Sequence, residues 1–237
     1  MKAVTLVVPC KDEALRLDQG AFLQAVAEIP GLALLFVDDG STDSTADVIA
    51  RLVKSSPAID ALYLPQNRGK AEAVRAGMQQ LLTNGGTSLV GFWDADLATP
   101  LEAVVRFAEV FDVHPDLQMA VGSRWPHLGA HVDRSVLRNC AGTVMKFLIS
   151  RLLSAPIYDT QCGAKVMTRA LAERLFARPF VSRWLFDVEL FRRMGRTAVL
   201  QGVRELPLDV WRDVSGSKMT FRSALFSIFD LLRIART

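Results

Sequence analysis

Apolar runs alternate with amphipathic stretches through the first half of the chain. "AVTLVVP" reads as a strand and "DQGAFLQAVAEI" as a helix. "LALLFVDDG" is a strand that stops at acid and glycine, and "DSTADVIARLVKS" has helical spacing with Ser41, Thr42 and Asp43 available as caps. "IDALYLP" is a short strand, "KAEAVRAGMQQLL" a helix and "SLVGFWD" a strand. "PLEAVVRFAEVF" follows as a helix with proline near its first turn, then "LQMAVGSR" as a strand. Such alternation, with β-branched apolar strands, predicts an α/β fold: a mostly parallel central sheet flanked by helices. Ligands of such sheets sit at the carboxyl ends of the strands. The polar residues cluster there: Lys11 to Glu13, Asp38 to Gly40, Asp94 to Asp96, and Ser123 with Arg124.

Beyond Arg124 the pattern changes. A loop leads into a helical stretch, "NCAGTVMKFLISRLL"; "YDTQCGAKVMTR", helical stretches around 171–176 and 186–194, and a strand-like "AVLQGVREL" follow. With no repeat or linker, the expectation is one domain over 1–237. It divides into a nucleotide-type half (1–125), an acceptor half (126–214) and an amphipathic C-terminal helix (215–237).

Half of the 237 residues are hydrophobic, enough for a sizeable core. With 28 basic against 25 acidic residues, the formal charge of +3 is too mild to argue for nucleic acid. Cys10, Cys140 and Cys162 are far apart and odd in number, which favours free thiols in a reducing compartment. The N-terminus enters a strand at once, without signal-peptide order, and no apolar run is long enough to span a bilayer. These features predict a soluble or peripheral protein on the cytosolic side.

Asp94 and Asp96 bracket one residue at a strand end. Two carboxylates so placed suit a hard divalent cation that leaves coordination positions open for phosphate oxygens; they also occur as helix caps and solvated strand ends. "FVDDGSTDST" ends another strand in acid, glycine and hydroxyl, suited to ribose or base N–H groups, or to capping. "NRGKAEAVRAG" places Lys70 and backbone N–H groups at a helix start, where an anion is favoured.

The order and spacing of "VVPCKDE", "FVDDGSTDST", "NRGKAEAVRAG" and "DADLATP", continued by "GSR", "DTQCGAKVMTR" and "FDVEL", resemble glycosyltransferase family 2, the inverting nucleotide-sugar transferases of GT-A fold. Within it the chain looks most similar to the polyprenyl-phosphate enzymes of the dolichyl-phosphate glucosyltransferase branch. The resemblance implies a hexose, glucose in that branch, moved from a UDP-sugar to a polyprenyl phosphate. Pro9, Glu13, Asp39, Lys70 and Asp94 would bind the nucleotide sugar, and Asp96 would hold Mg2+ or Mn2+. Arg124, Arg134, Arg138 and Gln161 would meet the acceptor. Asp94, Asp159, Asp187 and Glu189 would form the catalytic set. Ala98 stands where mannosyl-phosphate synthases often carry glutamine. Arg183-Trp184 precedes Asp187 without the glutamine of the QxxRW box, which speaks against a processive synthase.

A phosphate acceptor is already ionised near neutral pH and needs charge compensation rather than a base. Arginines suit that task, and residues 122–151 hold five basic side chains against one acid. A hydroxyl acceptor would need a carboxylate base, Asp187 or Glu189. In "SKMTFRSALFSIFDLLRIART", Phe221, Leu225, Ile228, Phe229 and Leu232 share roughly one helical face flanked by Lys218, Arg222, Arg233 and Arg236. That face suits a membrane interface, or packing on the protein's own core. The competing readings are the same fold acting on a soluble hydroxyl acceptor, and a nucleotide-sugar-binding relative without activity.

Overall fold

The computed structural model describes residues 2–84, 86–125, 127–129, 131–132, 148–212 and 229–236. Seven strands form one sheet in the order β3-β2-β1-β4-β7-β5-β8. They are β1 (Val4–Cys10), β2 (Leu32–Asp38), β3 (Ile59–Tyr63), β4 (Leu89–Trp93), β5 (Met119–Ser123), β7 (Ala164–Thr168) and β8 (Val203–Pro207). The pairings β1–β2, β1–β4, β2–β3 and β5–β8 are parallel. Only β7 runs against its neighbours β4 and β5. β6 (His131–Val132) pairs with β9 (Val210–Trp211) in a separate two-stranded ribbon.

The predicted mostly parallel sheet is therefore present, and both faces are covered. On one face, α1 (Gln19–Glu28), α2 (Thr45–Ser55) and α4 (Ala103–Val113) bury Phe22, Ile49 and Phe107 against Leu6, Phe36 and Trp93. On the other, α3 (Lys70–Thr83), a helical stretch α5 over 148–153, α6 (Arg169–Phe176) and α7 (Phe186–Met194) pack Met78, Phe176 and Phe186 on Val7, Val37 and Phe92. Every residue of β4 and β5 is buried, which explains why they are apolar up to Ser123, the last residue of β5.

Two local readings change. "AVLQGVREL" is not one strand: Arg196–Gly202 forms a short helix, α8, and only Val203–Pro207 is extended. Ser41, Thr42 and Asp43 do not serve as a simple cap for α2, whose N-cap is Ser44. They tie the turn after β2 to the turn after β1. The Asp12 N–H donates to Ser41 Oγ at 3.0 Å, the Ala14 N–H to Asp43 Oδ2 at 3.2 Å, and the Thr42 N–H to Asp12 Oδ1 at 2.7 Å.

The antiparallel course of β7 places the site. Its first residue, Ala164, pairs with the last of β4, Trp93. The loop before β7, "DTQCG", thus lies at the same sheet edge as the carboxyl ends of β1, β2, β4 and β5.

The last described helix, 229–235, buries Leu231 and Ile234 in the core beside α7. The Ser182 hydroxyl donates to Asp230 Oδ2 at 2.6 Å and fastens it there. Phe229 and Leu232, two members of the predicted stripe, face outward at 60% and 56% exposure. Phe221, Leu225 and Ile228 lie outside the described residues.

Candidate active site

At the carboxyl edge of β4 the chain leaves Trp93 and presents Asp94. The Asp94 N–H donates to the Gly163 carbonyl at 3.0 Å, joining the strand end to the "DTQCG" loop. Lys70, the first residue of α3, reaches across and donates to Asp94 Oδ1 at 2.5 Å. Burial works against the charged form of both groups. Lys70 nonetheless holds the Asp94 carboxyl below the usual carboxylate range, assisted by Lys165 and Arg124. Asp94, with Asp187 and Asp96 behind it, raises Lys70 above an ordinary lysine. Both side chains keep about a third of their surface open to solvent, so the pair faces a cleft rather than the core.

Asp96 is different in kind. Burial first, and the neighbouring Asp94 second, push its carboxyl up. Oδ1 accepts the Ala98 N–H at 3.1 Å, and Oδ2 meets Arg16 Nη2 at 3.3 Å. A half-buried carboxylate whose charge is under-compensated is suited to receive a cation. Among the described residues no three His, Cys, Asp or Glu side chains gather into a closed cage. The donor set fits a Mg2+ or Mn2+ that takes one or two carboxylates from protein and the rest from phosphate and water.

Asp39 lies buried immediately after β2. Its two oxygens accept the N–H groups of Arg68 at 2.7 Å and Gly69 at 2.8 Å. Gly69 has φ +91°, in the left-handed region that favours glycine, where the chain turns from this loop into α3 at Lys70. Arg183 latches the same loop, donating from Nε to the Arg68 carbonyl at 3.1 Å and from Nη2 to Asn67 Oδ1 at 3.3 Å. Pro9, next to last in β1, is paired in register with Val37 of β2. The Glu13 N–H donates to Thr45 Oγ1 at 2.8 Å, and its carboxylate lies 3.3 Å from Arg16.

Arg124 follows β5 and grips Asp159 with a fork, Nε to Oδ2 at 2.6 Å and Nη2 to Oδ1 at 2.7 Å. The pair raises the Arg124 guanidinium even though burial opposes its charge. Glu205 on β8 accepts the N–H groups of Tyr158 and Asp159, both at 2.8 Å. Asp159 therefore orients Arg124 rather than standing alone at a reacting centre. Gln161, two residues on, has a buried Nε2 with no hydrogen-bond partner among the described residues. A buried amide donor without a partner points to an absent acceptor atom. Arg134 and Arg138 lie outside the described residues.

The acidic pair of α7 divides. Asp187 is buried and accepts from Lys165 Nζ at 2.5 Å; Lys165, itself wholly buried, also donates to the Cys162 carbonyl at 2.6 Å. Burial pushes the Asp187 carboxyl up despite Lys165 and Lys70. Asp94, Lys70, Asp187 and Lys165 thus alternate in sign beneath the cleft. Glu189 points elsewhere. It accepts the Val181 N–H at 2.9 Å and binds Arg193 at 2.7 Å, fixing the loop before α7. Sequence reasoning missed Lys165, Arg16, Glu205 and the latch of Arg183. Cys10 and Cys162 are free, buried thiols pushed up chiefly by burial, Cys162 to about 11, as expected of packing residues.

Comparison with known proteins agrees with this geometry. The family model "Glycosyl transferase family 2" matches residues 5–176. A dolichyl-phosphate beta-glucosyltransferase of Dictyostelium discoideum is 31% identical over 98% of this chain and 73% of its own length. One of Drosophila melanogaster is 35% identical over 92% of this chain and 69% of its own. Among solved structures, glucosyl-3-phosphoglycerate synthase from Mycobacterium tuberculosis, in complex with Mn2+, UDP and glucosyl-3-phosphoglycerate, superposes with a TM-score of 0.71. That match covers 99% of this chain and 80% of the synthase at 17% identity, a likeness of fold. With acidic strand ends, a lysine at the start of α3 and a "DTQCG" loop meeting at one sheet edge, the chain belongs to glycosyltransferase family 2 and is a glycosyltransferase.

Proposed function

We propose that the protein moves glucose from UDP-glucose to a polyprenyl phosphate, with inversion at the anomeric carbon and with Mg2+ or Mn2+. The observation that carries this reading is the similarity, over nearly the whole chain, to enzymes named dolichyl-phosphate beta-glucosyltransferases. The site supports it. Asp39 and the Arg68–Gly69 turn form a wall for uracil or ribose. Lys70 is placed to meet the donor diphosphate once it leaves Asp94. Asp96 would hold the divalent cation, which supplies charge neutralisation at the departing diphosphate.

The acceptor phosphate oxygen attacks the anomeric carbon from the face opposite UDP. The new carbon–oxygen bond forms as the bond to the β-phosphate oxygen breaks. An ionised phosphate needs orientation, which Arg124, held by Asp159, and the open Nε2 of Gln161 are placed to give. No carboxylate has to take a proton. This agrees with Asp187 being committed to Lys165 and Glu189 to Arg193.

The test is transfer of labelled glucose from UDP-glucose to a short-chain prenyl phosphate. Label is expected to enter the organic phase only with Mg2+ or Mn2+, and Asp96→Asn should reduce it about a hundred- to a thousandfold. Transfer to a water-soluble hydroxyl compound, with no prenyl product, would reject the reading.

We further assign a peripheral site at the cytosolic membrane face. No helix among the described residues is long and apolar enough to cross a membrane. The outward Phe229 and Leu232 stand beside the exposed Arg233, an arrangement suited to an interface with anionic lipid. Replacing Phe229 and Leu232 together with serine should leave thermal stability unchanged and lower co-sedimentation with anionic liposomes several-fold; equal binding would remove this assignment.

A further inference from the structure

Arg16 lies in the turn after β1, eighty residues before Asp96, and its Nη2 stands 3.3 Å from Asp96 Oδ2. Nη1 stands 3.3 Å from the Glu13 carboxylate, and Nε is buried with no hydrogen-bond partner among the described residues. Asp96 Oδ1 is already engaged by the Ala98 N–H. Oδ2, which receives no backbone N–H, is thus the oxygen better placed to turn to a metal, and Arg16 stands in front of it. We propose that Arg16 is the resident counter-cation of Asp96, displaced when a divalent cation binds, so that metal binding becomes dependent on the donor diphosphate.

The contrast with the protein's other arginine pairs supports this. Arg124 grips Asp159 through two contacts of 2.6 and 2.7 Å, and Asp159 is almost wholly buried. Arg193 binds Glu189 at 2.7 Å with a similarly buried carboxylate. Those are permanent fittings. Arg16 instead touches Asp96 with one nitrogen at the long limit of a hydrogen bond, and both side chains are about a quarter exposed (26% and 27%). Such a pair is weak enough to part. A cation at Oδ2 would place two positive charges beside a guanidinium. Entering alone, it must overcome that repulsion; entering with a diphosphate, it brings the negative charge that offsets it. The displaced guanidinium, whose Nε–H has no partner among the described residues, is then a fork for phosphate oxygens. Metal and nucleotide would each raise the other's affinity, as linkage requires.

The proposal rests on Asp96 holding the metal, and the experiment separates the two. Mn2+ binding is measured by electron paramagnetic resonance titration, without and with UDP, on the whole protein and on Arg16→Gln, Arg16→Lys and Asp96→Asn. Without UDP, Arg16→Gln is expected to bind Mn2+ about two- to fivefold tighter than wild type. The enhancement by UDP should shrink by the same factor, while Arg16→Lys, which keeps the charge, stays near wild type. Binding by Arg16→Gln no tighter than wild type, or equal tightening in both Arg16 variants, overturns the proposal. Asp96→Asn should lose Mn2+ in both conditions; if it does not, the assignment of Asp96 falls and this inference with it.

Discussion

Gly163→Ala should reduce turnover at least about a hundredfold while the protein stays folded. A Cβ at position 163 would lie 1.8 Å from Asp94 Oδ2 and 2.1 Å from its Cγ, so the carboxylate has to leave. Its backbone cannot follow, because the Asp94 N–H is bonded to the Gly163 carbonyl at 3.0 Å. Rotating the side chain away breaks the 2.5 Å contact with Lys70 and moves both groups from the diphosphate. Misplacement of about 1 Å at a reacting centre is enough for losses of this order. The backbone of Gly163 is not left-handed, so the penalty is steric and local to a cleft-facing side chain. The check is turnover alongside thermal unfolding and UDP titration. Near-wild-type turnover would mean that Asp94 works from another rotamer, and the assigned geometry would be wrong.

The main architecture was readable because two periodicities alternate cleanly. Buried strands such as "LVGFW" leave no polar residue until the chain reaches the sheet edge, so the change from apolar to acidic marks where ligands bind. Asp39, Asp94 and Asp96 stand at such edges, whereas Lys70 is picked out as a cation at a helix start. "AVLQGVREL" was misread because a seven-residue helix runs directly into a strand with no intervening loop, and so short a helix does not show its period. Residues whose meaning depends on distant partners were less legible. Arg16 resembles any surface arginine until β1 and β4 are paired, and Glu205 reads as a strand-edge acid until it accepts the N–H groups of the loop at Asp159. Asp187 and Glu189, two apart on one helix, look equivalent in sequence. Helical geometry sends them in different directions, one toward Lys70 and Lys165 and the other toward Arg193.

Lys165 is the sharpest case, because a lysine in "GAKVM" reads as an exposed strand position yet is wholly buried. Lys165→Met should cost about 3 to 5 kcal/mol of stability at neutral pH, the range for breaking a buried pair and leaving one charge behind. The stranded group is Asp187. Its carboxyl is pushed up by burial even with Lys165 in place, and loses the partner that pulled it down. The folded variant then binds a proton that the unfolded chain, near the ordinary carboxylate value, has released. Stability must fall as pH rises through that window and recover as pH falls, until Asp187 is protonated in both states. Urea unfolding between pH 5 and 8 should therefore show the variant's deficit shrinking on the acid side. Pairing Lys165→Met with Asp187→Leu should restore most of the loss, since an apolar pair replaces a buried ionic one at little cost. Turnover should not return with it, because Asp187 also balances Lys70 beside Asp94. A double variant as active as wild type would show that the Lys165–Asp187 pair serves folding alone, and that the alternating charges beneath the cleft have no part in transfer.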